Sequence, residues 1–134
     1  MASIRKIIDV GASPAAAWDA LADFVPVDRR VAPGFVTESV PVDGDRLVTF
    51  FNGAQARERL VTCAGEARRL VYSVVDSATG FAHHQATVEV CDPEPGGRGA
   101  RLVWTTDLLP DDLAPVIESM MEQGRSAIAA GLAG

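Results

Sequence analysis

Only two cysteines occur in 134 residues, too few for a disulfide framework, and no Cys/His grouping has the spacing of a zinc site. The two histidines, His83 and His84, are adjacent; on a strand they face opposite ways and cannot chelate one ion together. No metal and no cofactor is expected. Long apolar runs are missing as well, since no stretch approaches the roughly 18 consecutive apolar residues of a membrane span. The opening, with Arg5 and Lys6 followed only by Ile7 and Ile8 before Asp9, lacks the apolar segment of a signal peptide, so a cytoplasmic location is expected. Basic charge is in short supply: 12 Lys plus Arg against 18 Asp plus Glu leave a net charge of −6, the wrong sign for neutralising phosphates, and nucleic acid is not an expected partner. A phosphate-binding glycine loop is absent too, because Gly96-Gly97-Arg98-Gly99 opens a strand rather than a helix.

What is present describes an ordinary soluble domain spanning 1–134, with 48% hydrophobic and 22% charged residues. At this length folding buries roughly two thirds of the chain's surface, so no covalent staples are required. Residues 3–10 are rich in β-branched types and stop at Gly11, which predicts a strand. Ser13 as N-cap and Pro14 at the first helical position predict a helix carrying Trp18 and Leu21 on one face. Pro26 and Pro33 bracket a turn or two of helix over 27–32. Six strands then follow, with cores at 36–40, 46–51, 55–63, 69–76, 83–91 and 100–108. They are separated by Asp43-Gly44, Asn52-Gly53, Gly65, Gly80 and the run from Asp92 to Gly97, short turn-rich connections that favour an antiparallel meander. The chain closes on a long amphipathic helix with Leu113, Val116, Ile117, Met120, Met121, Gly124, Ile128 and Leu132 on one stripe, capped by Asp111 after Pro110, and with Glu118, Glu122 and Arg125 on the wet side.

That order of elements, an α+β chain with one sheet face covered by one helix, resembles the helix-grip fold of the START and birch-pollen-allergen-like (SRPBCC) superfamily, and within it the polyketide cyclase/dehydrase branch. The resemblance covers residues 3–132, and its local features are Ser13-Pro14-Ala15-Ala16-Ala17-Trp18, Arg57-Glu58-Arg59-Leu60-Val61, the stretch from Arg69 to Asp76, and Val103-Trp104-Thr105. It implies a curved seven-stranded antiparallel sheet wrapped around the C-terminal helix, with two short helices after the first strand and a hollow interior. Two departures fall where the resemblance places pocket wall. An aromatic residue followed by His-Pro is common in relatives where this chain has Arg29-Arg30-Val31-Ala32-Pro33, and tyrosine is common at the position of His84.

Alternation assigns the strand faces. Arg57 and Arg59 mark a wet face, which directs Glu58 inward with Leu60, an unusual place for a carboxylate. Leu70, Tyr72 and Val74 face inward, as do His84, Ala86, Val88 and Val90, and then Leu102, Trp104, Thr106 and Leu108. At Asn52-Gly53 a two-residue hairpin would oppose Arg46 to Arg59, whereas a three-residue loop opposes Arg46 to Glu58. Opposite charges across a ladder are favourable and like charges are not, so the second register is expected, with Val48 and Phe50 also inward. Cys63 and Cys91 fall on the outer face of strands that are not neighbours, which argues against a disulfide and for a reducing compartment.

The inner surface so assembled combines apolar walls with a few polar groups, the composition of a small-molecule site. Candidate catalytic groups are Glu58 or His84 as base, Tyr72 as donor to an oxyanion, and Arg46; candidate ligand-binding residues are Phe50, Leu60, Trp104, Thr106, Val116 and Met120. The resemblance implies cofactor-independent cyclisation or dehydration of a carbonyl compound. The same residues also suit a carrier or sensor of a hydrophobic ligand, and Arg46 with Glu58 also reads as a purely structural pair. Val71, Val75 and Val103 on the outer face form a possible dimerisation patch, leaving monomer and homodimer both open.

Overall fold

Short turn-rich connections leave successive strands little choice but to pair antiparallel, and the computed structural model, which describes Met1–Gly134, shows the sheet that results. Strand β1 (Ala2–Val10) is followed by helix α1 (Pro14–Ala22), the single turn α2 (Val27–Arg30), and then β2 (Val36–Val42), β3 (Asp45–Phe50), β4 (Gln55–Ala64), β5 (Arg69–Ser77), β6 (His83–Cys91) and β7 (Ala100–Leu109). A 3-10 turn over Asp111–Leu113 leads into α3 (Ala114–Gly131). The seven strands form one antiparallel sheet in the order β1-β7-β6-β5-β4-β3-β2. Strands β2 to β7 make the expected meander, and β1 joins the far side of β7. No helix is long and apolar enough to cross a membrane.

The sheet curls around α3, which packs against β1. The concave face carries the even-numbered residues of β6 and β7: His84, Ala86, Val88 and Val90, then Leu102, Trp104, Thr106 and Leu108, all buried. Ser13 caps α1 by accepting from the Ala16 N–H at 3.1 Å, with Pro14 starting the helix, as the N-terminal signals anticipate. At the other helix the expected cap is not made. Leu113 occupies the N-cap of α3 without a side-chain hydrogen bond, and the Asp111 carboxylate instead lies 3.4 Å from the N-terminal amine, because the intervening 3-10 turn carries Asp111 past the capping position. Glu118 and Glu122 are on the wet side of α3, about half exposed, yet both reach the largely covered Lys6 of β1 at 2.5 and 2.8 Å. That pair ties the helix to the sheet edge.

Two bulges interrupt the β4–β5 ladder, between Arg57/Glu58 and between Leu60/Thr62. A bulge bends a strand and increases its local twist. Val71 differs from expectation in exposure and not in facing: it is 2% exposed, pairing with Thr62 on one side and Thr87 on the other in an interior strand. Val103 is half-buried, and of the three valines only Val75 is exposed. They therefore do not form the apolar patch anticipated from alternation.

The C-terminal end of α3 sits hard against the segment after α2. A Cβ on Gly131 would lie 2.2 Å from the Val31 carbonyl oxygen and 2.8 Å from Pro33 Cδ, the first of them backbone that cannot rotate away. Gly131→Ala is expected to destabilise the fold by about 1–3 kcal/mol, the usual cost of overpacking, even though alanine is the better helix former by about 1 kcal/mol. Urea denaturation measures this directly, and an unchanged or raised midpoint would show that the helix end shifts freely.

Candidate functional site: an internal cavity

Between the concave face and α3 the side chains do not fill the space, and a cavity of about 250 Å³ remains, lined by 30 residues of which 21 are hydrophobic. Its wall draws on α1 and α2 (Leu21, Val27), the sheet (Phe50, Leu70, Tyr72, Val88, Trp104, Thr106) and α3 (Ile117, Met120, Met121, Ile128). Exposed lining residues mark its mouth: Asn52 and Ala54 of the β3–β4 turn with Gln55 at the start of β4, Thr79 of the β5–β6 loop, and Val116, 55% exposed, near the start of α3.

The Asn52-Gly53 turn gives the register that pairs Arg46 with Glu58, with Gly53 at a φ of 84°, the left-handed conformation such a loop needs. Arg46 Nε donates to Glu58 Oε1 at 2.8 Å, and its Nη1 donates to the Phe24 carbonyl at 2.6 Å. The guanidinium carbon stands 3.8 Å from the centre of the Phe24 ring and 5.0 Å from that of Tyr72, so an aromatic face lies on it as well as a carboxylate. Arg46 and Glu58 are 4% and 6% exposed, and the bond leaves Glu58 Oε2 uncommitted to Arg46.

His84 occupies a gap in the sheet. The β5–β6 ladder ends at Tyr72 opposite Ala86, and beyond it side chains replace the missing backbone pairing. The Val74 N–H donates to His84 Nδ1 at 3.0 Å, and the Ser73 hydroxyl donates to the His84 carbonyl. Since Nδ1 is an acceptor here, the neutral ring carries its proton on Nε2. Burial, with a smaller contribution from His83, pushes the imidazole down to about 4, so it is neutral at physiological pH. Phe81 packs on the ring with centroids 4.9 Å apart. Burial also raises the Tyr72 phenol well above its ordinary value, the nearby Glu58 charge adding to the effect. Trp104 lies against α3 where Gly124 makes room: a Cβ there would approach the indole to 2.9 Å. Its Nε1 is buried without a hydrogen-bond partner.

Nine of the ten residues singled out in the sequence, Glu58, His84, Tyr72, Arg46, Phe50, Trp104, Thr106, Val116 and Met120, line this cavity. Leu60 does not. It pairs with Tyr72, but next to the second bulge it is 38% exposed and lies outside the lining. Alternation alone places Leu60 inward because it assumes an uninterrupted strand. Residues that sequence reasoning did not single out include Phe24, whose ring and carbonyl both hold Arg46, and Phe35, packed 5.3 Å from Phe50. Both lie in segments between regular elements, where no periodicity signals a facing direction.

A helix gripped by a curved antiparallel sheet around an apolar cavity defines the START-like class of folds, the SRPBCC superfamily. Over residues 1–134 the chain matches the family described as polyketide cyclase/dehydrase and lipid transport, and it belongs to that family. Among solved structures, XoxI of Bacillus cereus is similar with a TM-score of 0.85 at 15% identity, covering 98% of this chain and 96% of that one. A protein from Thermobifida fusca is similar at 29% identity with a TM-score of 0.75, covering 99% and 91%. A START superfamily protein from Mycobacterium smegmatis gives 0.70 at 12% identity, covering 98% and 94%. No curated protein matches the chain.

Proposed function

We propose that the protein binds a hydrophobic or aromatic small molecule in this cavity and catalyses cofactor-independent enolisation, with the cyclisation or dehydration that follows from it, on a carbonyl group of that molecule. The observation that carries the reading is that Glu58, Tyr72 and His84 occur together in the lining of a mainly apolar cavity. In this mechanism Glu58 Oε2 takes the proton from the carbon beside the carbonyl. The electron pair moves onto the carbonyl oxygen, where the Tyr72 O–H and the His84 Nε2–H stabilise the developing oxyanion. The enolate carbon then attacks a second carbonyl, whose π bond breaks and whose oxygen takes the proton held on Glu58, or the enolate expels a β-hydroxyl that leaves as water with that same proton. His84 serves as donor and not as base, because its Nδ1 is occupied by the Val74 N–H. The family's description, which joins cyclisation and dehydration to lipid transport, supports a hydrophobic ligand.

Native mass spectrometry of freshly purified protein, followed by extraction, should reveal a stoichiometric aromatic or polyketide-like ligand. With that compound or its precursor, Glu58→Gln is expected to lower turnover at least tenfold while the ligand still binds, general-base contributions commonly being ~10²–10⁴. Full activity in Glu58→Gln would end the assignment of the base. The commitment of Glu58 Oε1 to an anchored arginine favours a second reading, a carrier in which the pair is structural. That reading predicts retained ligand, no turnover, and affinity unchanged by Glu58→Gln.

A further inference from the structure

The charge of the ligand can be inferred from how the cavity's own charges are spent. We infer that the site selects an uncharged molecule with an acceptor oxygen, a ketone or quinone-type carbonyl, over a carboxylate or an amine of the same shape; this rests on the reading that the cavity is the ligand site.

Arg46 is the only lysine or arginine in the lining, and its charge is already balanced by a carboxylate. Glu58 holds its Nε, the Phe24 carbonyl holds its Nη1, and aromatic rings lie near the guanidinium. The other acidic residue of the lining, exposed Asp23, is paired with Arg30 at 3.1 Å. One cation against two carboxylates leaves the lining no positive excess. A ligand carboxylate must therefore displace Glu58, share the one guanidinium with it or enter unpaired, and each leaves a buried negative charge undercompensated, among the costliest things a protein can hold.

The remaining polar groups are neutral donors. His84 presents Nε2–H because Nδ1 already accepts from Val74. Tyr72 lies in the wall with its ring 6.3 Å from that of His84, and the Trp104 Nε1–H in the same wall approaches the Tyr72 phenol without completing a well-formed hydrogen bond to it. An ammonium brings only more donors to this cluster, and the one anionic acceptor it could reach, Glu58, already neutralises the adjacent Arg46 guanidinium, which repels a second cation. An acceptor oxygen satisfies it without bringing a charge.

Three probes of matched shape test this: 2-acetylnaphthalene, 2-naphthoate and 2-naphthylmethylamine, titrated calorimetrically into the whole protein at pH 7.5. The ketone is expected to bind roughly tenfold or more tightly than either ion, the scale of penalty for a buried charge left partly unpaired. Glu58→Gln removes the carboxylate that occupies Arg46, so 2-naphthoate should gain roughly tenfold there while the ketone changes by less than about threefold. Equal or tighter binding of an ion to the native protein overturns the charge selection and leaves the cavity reading standing; so does a folded Glu58→Gln protein that gains nothing for naphthoate. Failure of all three probes to bind overturns both. The comparison in the native protein does not depend on the variant folding.

Discussion

Arg46→Met should cost the fold about 3–5 kcal/mol, the range seen when one partner of a buried ion pair is removed and the other is left uncompensated. Arg46 is 4% exposed and Glu58 is 6% exposed, so water is poorly placed to replace the lost guanidinium. The Phe24 carbonyl also loses its donor, and the Phe24 and Tyr72 rings lose the cation that lies over them at 3.8 and 5.0 Å. The double variant Arg46→Met with Glu58→Gln should recover much of the loss, because it removes the stranded charge as well as its partner. Urea denaturation of the native protein, both single variants and the double variant forms a cycle that isolates the coupling. A cost below about 1 kcal/mol for Arg46→Met would show that the cavity admits enough water to solvate Glu58. The pair would then contribute little to stability.

Acidification should remove stability in a window set by His84. Its folded value of about 4 lies below the ordinary histidine value of 6.5, so as pH falls the unfolded chain takes up its proton first. Stability attached to this group is therefore complete above about pH 6.5, declines as pH drops, and is fully lost near pH 4, where the folded form protonates too. The difference amounts to about 3 kcal/mol at 1.36 kcal/mol for each pH unit. Protonation also turns Nδ1 into a donor facing the Val74 N–H, which gives the shift a geometric cause beside burial. The carboxylates act in a different range. Asp45 is held below the usual carboxylate value by Arg59 and Arg57, Asp9 by Arg101, and Glu122 by Lys6. Their contributions are present above the ordinary carboxylate range and are lost only below it. Between pH 6.5 and 5 the decline should thus belong mainly to His84, and His84→Gln, which keeps an acceptor for Val74, should flatten it. An equally steep decline in that variant would reassign the window to another group.

Much of this arrangement was legible from local rules. The Ser13-Pro14 helix start, the strand runs and the charge argument at Asn52-Gly53 each depend on neighbours in sequence or across one hairpin, and the observed pairing of Arg46 with Glu58 follows from them. Alternation likewise placed Tyr72, His84, Trp104 and Thr106 toward the cavity they line, since β5 pairs with β6 over Arg69–Tyr72, and β6 with β7, without a register shift. It failed at Leu60, beside the second of two bulges in the β4–β5 ladder, where the period-two rule loses its phase, whereas Val71 keeps the face opposite Leu70 and Tyr72 and differs only in being covered. The Asp111 cap failed for a similar reason: a short turn between a good capping residue and its helix alters which backbone N–H groups it can reach.

Composition, turn chemistry and periodicity were enough to determine an antiparallel meander closed by an amphipathic helix, and to put Glu58 on the inner face beside Arg46, because each rests on the stereochemistry of a few adjacent residues. Only the tertiary structure decided that the interior is hollow, that Phe24 anchors Arg46 from a loop 22 residues away, and that His84 spends Nδ1 on the Val74 N–H where β5 and β6 part. These depend on how far a curved sheet stands from its helix and where a ladder opens. Both are properties of packing across the whole chain, which no local pattern encodes.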